Sequence, residues 1–211
     1  MSLPKAIMAK TESKQKMVGK KQHSPKAEQA ICMTCGFCCD GTLFDHATLQ
    51  PGEKGNLPEY MERSYFKNEK GESFRLPCEY FDSKCTIYDQ KKAHVCSSYR
   101  CQLLKDFSKK KTTQGNAKKL VKNAMAQRKE IMTLSETVLN TPENLPFRKL
   151  LLELHKYINQ EKENHTPNKE IDILTARCNI FEALLIRYFK SEDDFNSMKV
   201  PLHGEDPNEK K

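Results

Sequence analysis

Eight of the nine cysteines in this 211-residue chain fall between positions 32 and 101, and four of them sit in the stretch ICMTCGFCCD at 31–40. No other feature constrains the fold as much. Adjacent cysteines rarely reach the side-chain geometry of a disulfide, so Cys38 and Cys39 are not expected to pair with each other. The spacing is Cys32-x2-Cys35-x2-Cys38-Cys39, a gap of 38 residues, then Cys78-x6-Cys85-x10-Cys96-x4-Cys101. In a Cys-x2-Cys hook the intervening residues make a tight turn that points both sulfurs inward, and Gly36 eases that turn because glycine tolerates positive φ. Zinc or iron accepts four thiolates tetrahedrally, so eight cysteines in two groups of four match two sites. The first three cysteines also have the spacing of part of an iron–sulfur cluster loop, so a [4Fe–4S] centre belongs among the expected cofactors.

Composition shows why such a staple is needed. Hydrophobic residues make up 37% of the chain against 30% charged, and tryptophan is absent. A chain this lean either stays partly disordered or recruits a metal. The N-terminal stretch MSLPKAIMAKTESKQKMVGKK has no apolar run longer than Ala6–Ala9, short of the ~7–15 residues of a signal-peptide core. Nothing approaches the ~18 apolar residues of a membrane span, so no membrane partner is expected. The expected location is cytoplasmic, where thiols stay reduced and clustered cysteines mean metal or catalysis. The formal charge of +8 counts every cysteine as neutral. Eight thiolates on two divalent ions would lower it by four, and four thiolates on a cluster of core charge 2+ by two, so part of the basic excess balances an anionic metal site.

The chain divides into four stretches. Residues 1–28 carry seven lysines against Glu12 and Glu28 without apolar periodicity, and read as a disordered basic tail. Residues 29–110 form the cysteine module: loop-like around TLQPGEKGNLPEY, with short β-type runs flanking a turn at Asp82-Ser83-Lys84 and little helical period. Residues 111–190 are helical. Leu120, Ala124, Ile131, Leu134 and Val138 make one apolar stripe, and Phe147, Leu150, Leu151, Leu154 and Ile158 a second. Leu174, Cys178, Phe181, Leu185 and Tyr188 make a third, after a break at Thr166-Pro167. Thr141 and Pro142 are placed to cap and open the second helix. Residues 191–211 read as a loose tail. The expected fold is a small α+β one, an irregular metal-organised cysteine module with short strands packed against a C-terminal bundle of about three helices.

Cys-x2-Cys-Gly-x-Cys-Cys followed by CEYFDSKCTIYDQ and a closing Cys-x4-Cys resembles the CxxCxxCC family of bacterial cysteine-cluster proteins, described as zinc- or iron-chelating domains. Cys32, Cys35, Gly36, Cys38 and Cys39 match the first part of its pattern, and Cys78, Phe81, Cys85, Ile87, Tyr88, Cys96 and Cys101 the rest. Lys91-Lys92-Ala93 stands where the family has Arg-Pro, with one extra residue before Cys96. The resemblance covers about a third of the chain and implies metal binding by these eight cysteines. A flagellin lysine methylase carries a similar cluster, which adds an iron–sulfur redox or protein-modifying role as the alternative.

The remaining features point less far. Cys178 occupies an apolar helical slot and reads as core. His94, close to Cys96, is a ligand or second-layer candidate only if it is not simply an exposed polar residue. His23, His155 and His203 complete no acid–base pair, and no catalytic residues are identified. Nine basic residues between Lys105 and Lys129 could track a phosphate backbone, but only Phe107 offers a stacking surface, so nucleic-acid binding ranks last. The expected partners are a metal ion and an unidentified protein.

Overall fold

The computed structural model describes residues 26–164 and 168–190. The two expected tails therefore lie outside the described residues, apart from 26–28, as does the break at Thr166-Pro167. Among the described residues the chain forms seven helices, a three-stranded sheet and a two-stranded hairpin, a small α+β fold. In chain order these are α1 (Lys26–Cys35), β1 (His46–Thr48), α2 (Glu59–Arg63), β2 (Tyr65–Asn68), β3 (Gly71–Arg75), β4 (Phe81–Asp82) and β5 (Lys84–Cys85). Then come α3 (His94–Ser98), α4 (Gln102–Ser108), α5 (Gln114–Leu139), α6 (Phe147–Asn164) and α7 (Lys169–Phe189).

The long helices start and stop where local chemistry directs them. Thr113 caps α5 by accepting the Asn116 N–H at 3.2 Å, and α5 ends at Asn140 in the left-handed region, φ 52°, which asparagine tolerates better than most residues. Its buried face is Ala117, Val121, Ala124, Ile131, Met132 and Ser135, so Ala124 and Ile131 of the expected stripe lie on that face, while Leu120, Leu134 and Val138 lie on its half-buried flank. Asn168 caps α7 through the N–H groups of Glu170 and Ile171. The second helix does not open at Pro142. The Pro142 carbonyl accepts the Leu145 N–H at 3.0 Å and closes a turn, and it is Pro146 whose carbonyl accepts the Leu150 N–H at 3.0 Å as α6 begins at Phe147. Thr141 caps nothing there, and its hydroxyl instead lies 3.0 Å from that of buried Ser135.

Two apolar clusters result. The larger has twenty buried residues, mostly from α4, α5, α6 and α7, and includes Ile31, Phe37 and Leu43 from the cysteine-bearing segment. Phe37 meets Phe181 and Phe189 edge-on at centroid distances of 6.1 and 5.3 Å, so α7 grips the residue immediately after Gly36. The smaller cluster has only six buried residues, Leu49, Met61, Phe74, Leu76, Ile87 and Ala93, beneath an antiparallel sheet of order β1-β3-β2. Phe74 sits at its centre, opposite Ala47 on one side and Tyr65 on the other. Six buried apolar side chains are few for a segment this long, so the sheet side leans on its contacts with the rest of the chain. Phe44 packs against both clusters and marks the seam between them.

Candidate metal centre

Cys32 and Cys35 lie three residues apart on α1, where Ile31 is buried in the helical cluster and Cys35 packs against it. This is a helix that the sequence does not announce, because its apolar period runs Ala27, Ile31 and Cys35 and uses a cysteine as its third step. Gly36 ends it. Its φ is +70°, its N–H reaches the Cys32 carbonyl at 3.3 Å, and its own carbonyl accepts the N–H groups of Cys39 and Asp40 at 2.7 and 3.0 Å. The chain thereby folds back and sets Cys38 and Cys39 beside α1. A methyl group on Gly36 would fall 1.9 Å from Cζ of Phe81, so the glycine serves close approach as well as positive φ.

The second set of cysteines comes from four separate places. Cys78 lies in the loop after β3, and its N–H donates to the Cys39 carbonyl at 2.8 Å. Cys85 ends β5, after a hairpin turn whose Ser83 has φ 53°, at the position where the sequence reading puts the turn. Cys96 lies on α3, and Cys101 immediately precedes α4. An ion pair between Arg100 and buried Glu28 ties the start of α1 to the residue before Cys101.

All eight cysteines line one cavity of about 280 Å³ at the seam between the two clusters. Its other walls are largely apolar, with Phe37 and Leu43 from one cluster and Met61, Phe74 and Ile87 from the other. The volume falls just short of the ~300–1,000 Å³ of small-molecule sites. Among the described residues, no three His, Cys, Asp or Glu side chains are drawn together closely enough to hold an ion as they stand. The sulfurs share a wall without converging on a point.

The electrostatics of this cavity disfavour free thiolates. Burial pushes up the thiols of Cys32, Cys35, Cys38, Cys39 and Cys78, takes Cys96 to about 12 and Cys101 to about 11, and neighbouring sulfurs add to the rise. Cys32 and Cys96 share this fate although each is exposed as a residue, because their thiols face the cavity. Arg100 and then Lys92 ease the Cys32 thiol; Lys92, the cation in the wall, also eases Cys96 and donates to the Tyr88 carbonyl. One ammonium cannot balance eight thiolates. A donor set dominated by sulfur in a largely apolar, cation-poor cavity fits a soft or borderline divalent metal, whose charge would offset the cost of forming the thiolates.

The other candidates fall elsewhere. Cys178 is 1% exposed in the helical cluster and does not line the cavity. His94 is exposed, with Nδ1 2.9 Å from Nε2 of Gln50 and 3.1 Å from Oγ of Ser98, and it too is absent from the cavity wall. His46 does line the cavity, with its Nδ1 2.6 Å from Oδ1 of Asp45. Sequence reasoning missed it because it has no cysteine or histidine at ligand spacing. The lysines of α4 and α5 are mainly exposed, while Phe107 is half-buried and packs against the helical cluster. No helix among the described residues is long and apolar enough to cross a membrane. Compared with known proteins, the chain matches no family model, no curated protein and no solved structure.

Proposed function

We propose that this is a cysteine-cluster metal-binding protein, similar in kind to the CxxCxxCC proteins, in which Cys32, Cys35, Cys38, Cys39, Cys78, Cys85, Cys96 and Cys101 hold zinc or iron. One observation carries the proposal: cysteines drawn from both ends of a 70-residue stretch, which share no sequence-local reason to meet, line a single apolar cavity. The metal organises the cysteine module by supplying the binding energy that six buried apolar residues do not, so that binding doubles as folding. The helical bundle of α5, α6 and α7 is the platform against which that module is held, through Phe37 and the α1 contacts with α4 and α5. A reduced, cytoplasmic setting suits eight free thiols.

A bound zinc would act as a closed structural centre, whereas an iron–sulfur cluster would add one-electron chemistry. The chain's own residues do the rest: Gly36 turns Cys38 and Cys39 toward the cavity, the largely apolar wall lowers the local polarity, and Lys92 offsets part of the site's negative charge. The test is metal analysis together with a visible spectrum of full-length protein purified anaerobically. Colourless protein with stoichiometric zinc, or brown protein with iron and labile sulfide, supports the reading and chooses the class. Protein that carries neither, and takes up neither on reconstitution, refutes it.

A further inference from the structure

Cys38 and Cys39 are neighbours in the chain but belong to different sides of the seam. Cys38 packs against the helical cluster together with Cys35 and Cys101. The Cys39 carbonyl instead accepts the N–H of Cys78, and Cys78 packs with Cys85 against the sheet-side cluster. Cys96 stands on that second side too: its N–H donates to the carbonyl of Ala93 at 3.0 Å, and Ala93 and Val95 belong to the sheet-side cluster. Cys101 stands on the first, between the Glu28–Arg100 ion pair that binds it to α1 and the buried Leu103 and Leu104.

Building on the metal-binding reading, we infer that the two four-thiolate sites cut across the sequence groups: Cys32, Cys35, Cys38 and Cys101 hold one ion, and Cys39, Cys78, Cys85 and Cys96 the other. The first sulfur neighbours of Cys35, Cys38, Cys39 and Cys96 fall within these sets, while the next neighbours of Cys38 and Cys39, which are Cys39 and Cys32, lie across the seam. Beyond burial, the sulfur that most raises the Cys38 thiol is Cys101, and Cys101 is also the first sulfur to raise Cys35. For Cys39 it is Cys96, and for Cys96 it is Cys78 and then Cys85. Cys32 lies near both sets, with Cys85 its strongest sulfur neighbour, and its place on α1 beside Cys101 puts it in the first. Each ion binds with loss of the protons from its four thiols and no change of oxidation state.

Zinc(II) alone, counted per chain by native mass spectrometry on the full-length protein, decides the division. Wild type takes two ions. The pairs Cys38→Ser with Cys101→Ser, and Cys39→Ser with Cys96→Ser, each disable one site and keep one ion. Cys38→Ser with Cys39→Ser disables both sites and keeps none. If Cys38→Ser with Cys39→Ser keeps one ion while Cys38→Ser with Cys101→Ser keeps none, the sites follow sequence order and the inference is overturned. Loss of all zinc from every pair indicates one joint cluster and overturns it as well. Wild type that binds no zinc overturns the two-ion division, and only protein that takes up neither zinc nor iron sinks the metal-binding reading itself. Wild-type protein held at one equivalent of zinc gives a second readout that needs no variant to fold. Alkylation mapping should then find protection falling within one of the two proposed sets, and protection confined to Cys32, Cys35, Cys38 and Cys39 would contradict it.

Discussion

Replacing Gly36 by alanine should unseat the hairpin that carries Cys85. The methyl would stand 1.9, 2.5 and 2.9 Å from three atoms of the Phe81 ring, at a backbone φ of +70°. A left-handed conformation costs an L-residue about 1–2 kcal/mol, and forcing a side chain into occupied space typically costs ~1–3 kcal/mol more. The total is therefore roughly 2–5 kcal/mol, a large share of the ~5–15 kcal/mol that stabilises a typical domain. Gly52 supplies the control, with φ +84° but nothing within 4 Å of its added methyl, so Gly52→Ala carries the backbone cost alone. Denaturant titration of both variants and wild type separates the two contributions. The expected result is a loss for Gly36→Ala exceeding that for Gly52→Ala by ~1–3 kcal/mol, together with lower metal content. Equal losses in the two variants would refute the claim that Phe81 closes over the Gly36 turn.

Phe37→Ala should cost about 3–5 kcal/mol and lower metal content, because it removes the ring that Phe181 and Phe189 hold and so frees the turn between Cys35 and Cys38; unchanged metal content would show that the turn does not depend on α7. Cys178→Ala should leave metal content untouched and cost on the order of 1–2 kcal/mol, since the side chain is buried in the helical cluster and does not line the cavity; metal loss in this variant contradicts the assignment. Metal-free protein should lose stability in alkali. Burial holds the Cys178 thiol up at about 12, so the unfolded chain releases its proton first, from pH ~8.5 upward, while the fold retains it. That contribution is complete below pH ~8.5 and declines by up to ~1.4 kcal/mol per pH unit as pH rises toward the folded value. Thermal melts of chelated protein between neutral pH and pH ~10 should therefore fall less steeply for Cys178→Ala, and parallel declines would argue against a buried thiol there.

The parts of this molecule that can be read along the chain are those set by local period and turn chemistry. The faces of α6 and α7 follow from apolar spacing, that of α5 only through Ala124 and Ile131, and the β4–β5 turn from Asp82-Ser83-Lys84. α1 is hidden because one step of its apolar face is Cys35, a residue that the spacing rules read as a ligand. The start of α6 moves from Pro142 to Pro146 because both prolines can open a helix, and only the packing of Pro146 over Gly41 selects between them. The eight cysteines are conspicuous in the sequence, yet their neighbours are not. The Cys39–Cys78 hydrogen bond and the approach of Cys101 to α1 span tens of residues, and no local rule encodes them. His46 and Lys92 enter the cavity wall by the same non-local folding.

Sulfur ligation is the central claim, and X-ray absorption at the metal edge of the full-length, metal-loaded protein tests it most directly. Four sulfur neighbours at ~2.3 Å around each absorbing ion are expected from four-cysteine sites. A first shell dominated by nitrogen or oxygen at ~2.0–2.2 Å would contradict the account.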